Sequence, residues 1–357
     1  MTTGRINQVA MALAGARRRT STTPPLPGGG GGGVPHTRLA VRYGKENGLS
    51  QALPLTGNYL GSPMPFRPWM LPRALRTPDK KYNMMVVHTR LNADSLAMVM
   101  RQEAVWVTIV REPVAQFESL WEYFKMEKFY KMSLEKFTHQ SYEKVARWRL
   151  AKVYGIHQMF FDFGYSTAED MTAERMSHIL ETLNTTFNLV MVAERYDESL
   201  VLLKDLMCWT ADDVAYLSIN FRSSKSKTTK LSKEARERLL QLSYPDVQIY
   251  KFFLHMFDVK VEAFGHSRME KELAAIQEAN RRLTEMCVVE KDSPLKARKG
   301  MEWEEVVGKV TVRGDIQKCV DVARTEHDIL NEVRERQKLW VVQGWRQPLS
   351  QVVVPPR

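Results

Sequence analysis

No stretch of this 357-residue chain strings together the roughly 18 apolar residues that a membrane-crossing helix needs. The run from Val9 to Ala14 is too short for the apolar centre of a secretory signal, although Arg17, Arg18 and Arg19 follow it, so the chain as written carries no visible address. Cysteine is scarce, and Cys208, Cys287 and Cys319 are too scattered to hold zinc. Cys208 falls in an apolar helical run and is expected to be a buried thiol. Cys287 and Cys319, which end and begin two helical stretches, either pair in an oxidising compartment or stay free. Acid is absent from the first 40 residues, which hold five arginines, and lysine is absent before Lys45. The formal charge is +11, and +6 remains without that arginine-rich start. Such an excess suits a nucleotide, an acidic glycan or a lipid surface. It also suits nucleic acid, but no recognition motif or alternation of basic and aromatic residues supports that class.

What is present reads as one folded unit with polar ends. Residues 1–36 contain a Ser/Thr/Pro stretch and six consecutive glycines, Gly28 to Gly33, and are expected to be disordered. A glycine run cradles phosphate when a strand precedes it and a helix follows. No strand is legible before this one, so it reads as a linker. A domain is expected over 37–340, with a tail over 341–357. It opens with a helix from Thr37 to Asn47, ended by Gly48. Apolar runs at 82–87, 105–110 and 188–193 have strand length, and each leads into a helical pattern, which predicts βα units and a parallel sheet. Asp197 is the expected cap of the helix after the third strand. Beyond Leu231 the pattern is almost wholly helical, with long helices over Val261–Cys287 and Asp315–Lys338. Asn184-Thr185-Thr186 is a sequon for N-glycosylation, meaningful on the secretory route.

The segment with most chemical content is Thr108 to Phe124. A buried strand delivers Arg111 to its carboxyl end, and Pro113 starts a helix two residues later. Ligands of α/β folds bind at that end, and the N–H groups of a helix terminus favour an anion. Arg111 either grips a phosphate through its planar fork or pairs with Glu112 or Glu118 on the surface. Ser119, two turns along, offers a hydroxyl to the same anion. His88, at the end of another strand, is a candidate base, since an unperturbed imidazole titrates near about 6.5, or a residue that only shapes the cleft. Arg90 binds an anion or makes a structural salt bridge. The basic, small and polar segment around Arg222 and Ser223 either closes over a nucleotide or is a solvated loop. Trp121, Tyr123, Phe124 and Tyr130, at helical spacing, read as core more than as a sugar platform.

Arg111-Glu112-Pro113 with Ser119 resembles the motif by which sulfotransferases hold the 3′-phosphate of PAPS, 3′-phosphoadenosine-5′-phosphosulfate. Asn83 to Asn92, Phe161-Asp162-Phe163-Gly164, Val190 to Trp209 and Asp246 to Phe253 extend the likeness, which resembles the galactose-3-O-sulfotransferase family over roughly residues 38–340. The resemblance implies a P-loop-like α/β fold, with a central parallel sheet flanked by helices and a largely helical C-terminal part. It implies transfer of a sulfuryl group from PAPS, without metal, to the 3-hydroxyl of galactose in a galactosylceramide-type glycolipid or a glycan. His88 is then the catalytic base, Arg111, Ser119, Arg222 and Ser223 hold the nucleotide, Arg90 binds substrate, and Asn184 is glycosylated. Relatives sit on the lumenal face of the Golgi membrane through a signal anchor. The family's lysine- and threonine-rich loop for the 5′-phosphosulfate, expected just before Arg42-Tyr43-Gly44, is replaced here by Pro24 to His36, and its first strand is not legible. A catalytically impaired relative that keeps partial nucleotide or glycan binding is the alternative reading. Arg298-Lys299-Gly300 is a fainter echo of a nucleotide-binding triplet.

Overall fold

The computed structural model describes residues 11–13, 35–166, 171–217, 231–293 and 309–343. A four-stranded sheet lies at the centre, ordered β2-β1-β3-β4, with β1 at Met11–Leu13, β2 at Met84–Met85, β3 at Val105–Val110 and β4 at Leu189–Val192. Its parallel part is β3 beside β4, in register from Val107 opposite Leu189 to Val110 opposite Val192. β1 runs antiparallel to both of its neighbours. The expected parallel sheet is thus present as the β3–β4 pair within a mixed sheet, and β1 corrects the expectation that no strand precedes the glycine run. β1 gives no local signal because it is three residues long and all its pairing is non-local. β2 is also shorter than the apolar run 82–87 suggested. The chain continues from it as isolated bridges, His88 beside Tyr59 and Arg90 beside Pro65.

Residues 107–110 of β3 and all of β4 are buried, so helices must cover both faces of that pair. The helices Tyr196–Leu206 and Tyr244–Phe264 pack against β4. The first begins at Tyr196 with Arg195 as its N-cap, and no side chain caps it. Asp197 instead accepts a hydrogen bond from the Tyr216 hydroxyl at 3.0 Å, so the expected Asp197 cap is corrected. The long helix expected over Val261–Cys287 is two helices, Tyr244–Phe264 and His266–Cys287. Gly265 sits between them at φ +90°, a conformation that costs a glycine little and other residues much. Asp315–Lys338 divides similarly into Gln317–Ala323 and Glu326–Val342.

A second apolar cluster joins Phe117, Trp121, Tyr130 and Phe137, and Trp121 stacks on Tyr130 at 5.3 Å, so these aromatics are core. Cys287 and Cys319 form a disulfide that ties the His266–Cys287 helix to Gln317–Ala323. Between them β5, Val288–Ser293, pairs antiparallel with β6, Lys309–Val312. Cys208 is exposed, at φ +54° just past the end of its helix, which corrects the expected buried thiol.

Candidate functional site

The parallel pairing of β3 and β4 brings two strand tips side by side, Arg111-Glu112 after one and Glu194 after the other. Glu112 is the N-cap of the Pro113–Tyr123 helix, and its carboxylate accepts the Ala115 N–H at 2.7 Å. One of the helix's free donors is thus already taken by the protein's own anion. The other oxygen of Glu112 accepts from Arg236 Nη2 at 3.0 Å. Glu194 ties the two tips together. Its Oε1 accepts the Glu112 backbone N–H at 3.0 Å and lies 4.0 Å from Arg111 Nε, while its Oε2 accepts the Tyr250 hydroxyl at 3.2 Å. Burial, and next the Glu194 carboxylate, push the Tyr250 phenol well above its ordinary value.

Arg111 thus faces an acid 83 positions away, just past the tip of the neighbouring strand. At 4.0 Å that contact is at the outer limit of an ion pair. The Arg111 side chain is 14% exposed, turned inward at the strand tip rather than out to solvent. Ser119 is buried on the same helix that Glu112 caps. It lies seven positions after Glu112, so the two share one helix face, with Gln116 between them, also buried. Glu194, Tyr250 and Arg236 had no role in the sequence reading. The signal for Glu194 was available, since it follows an apolar strand as Arg111 does.

His88 stands where the family block suggested, past β2, but its imidazole is buried and stacked on the Tyr59 ring at 4.7 Å. Its backbone bridges the neighbouring segment, donating to Asn58 O at 2.7 Å and accepting from Leu60 N at 2.8 Å. Arg90 is built into the interior of the protein. Its guanidinium is buried and donates to Phe161 O at 2.8 Å, Pro63 O at 2.7 Å and Ser166 Oγ at 3.3 Å. Those bonds spend the fork on the protein itself, and burial lowers its pKa.

The Phe161–Gly164 block works in the same interior. The Phe161 ring lies between Arg90 and Arg149, whose guanidinium carbons are 3.8 Å and 3.9 Å from its centroid. Asp162 O accepts the Leu91 N–H at 2.7 Å, and Gly164 at φ +94° approaches Leu91 so closely that an added Cβ would meet its carbonyl oxygen at 2.3 Å. Asp246 anchors the block from the Tyr244–Phe264 helix, accepting the Met159 and Phe160 N–H groups at 3.1 Å and 2.9 Å. Burial raises the Asp162 carboxyl to about 7, against the hydrogen bond from Gln158 and the charge of Arg149, and raises Asp246 to about 6. Burial, then Arg149, lowers His157 to about 3.

Asn184 lies half-buried in the last turn of the Ala173–Thr186 helix. Arg222, Ser223, Gly28 to Gly33 and Arg298-Lys299-Gly300 lie outside the described residues. Among the described residues no group of three or more His, Cys, Asp or Glu side chains is arranged to hold a metal ion, and no helix is long and apolar enough to cross a membrane.

The galactose-3-O-sulfotransferase family profile matches residues 36–303. Galactosylceramide sulfotransferase of Bos taurus is 34% identical over 254 residues, which cover 69% of this chain and 59% of that protein. Its Homo sapiens counterpart is 33% identical over the same shares. Galactose-3-O-sulfotransferase 2 of Sus scrofa is 31% identical over 259 residues, 69% of this chain and 64% of that protein. The chain thus spans about 59% of the length of the galactosylceramide sulfotransferases it matches. No solved structure matches it.

Proposed function

This chain belongs to the galactose-3-O-sulfotransferase family, and from that premise we propose that it transfers a sulfuryl group from PAPS to the 3-hydroxyl of a galactose, in a galactosylceramide-type glycolipid or a glycan. The observation that carries the reading is Arg111, inward-turned at the carboxyl end of β3 beside the β4 tip, with Ser119 buried on the helix that follows. A guanidinium and a hydroxyl are donors matched to a phosphate. Glu112 and Glu194 oppose an anion there, but each oxygen of both is engaged by an N–H, a guanidinium or a hydroxyl. A nucleotide phosphate is therefore read as displacing the long Arg111–Glu194 contact and leaving the shorter bonds that hold the two tips together.

In the transfer, the galactose oxygen attacks sulfur, the bond from sulfur to the 5′-phosphate oxygen breaks, and PAP leaves with that electron pair. The hydroxyl proton goes to His88. His88 is buried and stacked on Tyr59, so an acceptor reaches it only with a local rearrangement of the residues around it. Positive groups near the leaving oxygen lower the barrier, and no metal is needed for that charge. Arg90, bonded to Phe161 O, Pro63 O and Ser166 Oγ, is read as fixing the segment that bears His88. As in its relatives' setting, the Golgi lumen is the proposed compartment, and the disulfide suits it.

The test is transfer of radiolabelled sulfate from PAPS to galactosylceramide and to a galactose-terminated glycan, side by side. Label on the galactose 3-oxygen of one acceptor is the expected result. No label on either, from folded protein that binds PAP, contradicts the catalytic reading.

A further inference from the structure

We propose that Asn184 carries an N-linked glycan whose first sugars lie in a groove of the protein's own surface, between the Ala173–Thr186 and Tyr244–Phe264 helices. Asn184 is followed by Thr185 and Thr186, the triplet that directs this modification. Its side chain is half-buried because it forms part of the wall of a cavity of about 380 Å³. Glu181 and Met176 continue that wall along the same helix, and Tyr244, Gln248 and Phe252 face them from the other, spaced one helical turn apart. From Asn184 back to Met176 the helix rises about 12 Å, long enough for two pyranose rings end to end.

The lining chemistry fits a sugar. An N-acetylglucosamine ring has an apolar C–H face and a rim of hydroxyl and acetamide groups. Tyr244, 45% exposed, and the half-buried Phe252 offer aromatic surface to the first. Gln248 and Glu181 offer an amide and a carboxylate to the second. A covalent tether on the groove wall also favours this occupant, since it replaces a bimolecular encounter by an intramolecular one. The Cys287–Cys319 disulfide is an independent sign of an oxidising compartment, the setting in which such glycans are added. Nothing in this inference depends on the nucleotide assignment.

The experiment uses the full chain secreted from cultured animal cells behind a cleavable leader. Intact mass is expected to fall on N-glycosidase treatment, the glycopeptide to map to Asn184, and Thr186→Ala to abolish it. Tyr244 should be shielded from hydroxyl-radical labelling in the glycosylated protein and lose that shielding on treatment. Deglycosylation should lower Tm by about 2 °C, the order expected for a modest surface contact in a chain of this size. That shift should vanish in Tyr244→Ala, which stays glycosylated. A secreted protein with unmodified Asn184 overturns the site. A glycan whose removal changes neither Tyr244 labelling nor Tm overturns its seating in the groove. The labelling arm needs only the native sequence, so it decides the matter even where the Tyr244 variant folds poorly.

Discussion

Asp162, Asp246 and His157 are buried within one interior cluster, with Arg90, Arg149 and Gln158 around them, and their displaced pKa values make stability depend on pH. Both carboxyls are raised, to about 7 and about 6 against roughly 3.9 in an unfolded chain. Their contribution is complete below about pH 4 and is lost as pH climbs through those folded values. His157 has the opposite sign. Lowered to about 3 from roughly 6.5, it contributes above that value and loses the contribution as pH falls. Between about pH 4.5 and 6 two acids oppose one imidazole, so stability should fall with rising pH by a net of about one proton, on the order of 1.4 kcal/mol per pH unit. Asp162→Asn removes one acid and should level that slope, read from urea midpoints across the range; an unchanged slope would locate the dependence elsewhere. At His88, a Gln substitution should reduce kcat by about 10²–10⁴-fold and flatten the acid limb of the pH–rate profile. A lowered kcat with the limb intact would reduce His88 to shaping the cleft.

Elements differ in how plainly the chain announces them. β3 was legible as six apolar or β-branched residues between charged flanks, and with it the strand tip at Arg111, because a doubly covered strand has no polar face to confuse the pattern. The Pro113 start of the next helix was legible for a local reason as well. β1 was not, since three residues have no period and its partners lie 70 or more positions away. The β5–β6 hairpin was hidden by the charged residues of both strands. Gly265 went unread because helical spacing of apolar residues continues on both sides of it. Glu194 was passed over because a lone acid after a strand is usually a solvated end, and only the pairing of β3 with β4 reveals that it faces Arg111. The Phe161–Gly164 block was recognised as a pattern without its purpose, which is to seat the segment bearing His88 and Arg90. Gly164→Ala should therefore cost about 1–3 kcal/mol, from positive φ and from contact with the Leu91 carbonyl. A neutral outcome in thermal unfolding would show that the two segments slide apart freely.

Across the whole molecule, the helix Glu326–Val342 lies beyond the family profile yet completes the core. Gln337 accepts the Gln51 N–H at 2.7 Å and donates to its carbonyl at 3.0 Å, acting as a substitute strand partner. Glu326 accepts from Thr37 and Asn58, joining the Pro35–Glu46 helix to the loop beside His88. Gln337→Ala should leave two buried backbone groups unmatched and cost about 2–3 kcal/mol in denaturant unfolding, and a surface-like loss under about 0.5 kcal/mol would refute that role. The central claim concerns what the assembled chain holds, and calorimetry with PAP tests it most directly. The intact protein should bind PAP. Arg111→Ala should weaken binding about 10–100-fold, for loss of a charge-assisted contact, and Ser119→Ala by about tenfold or less. PAP affinity unchanged by either substitution, in protein shown to be folded, would contradict the account.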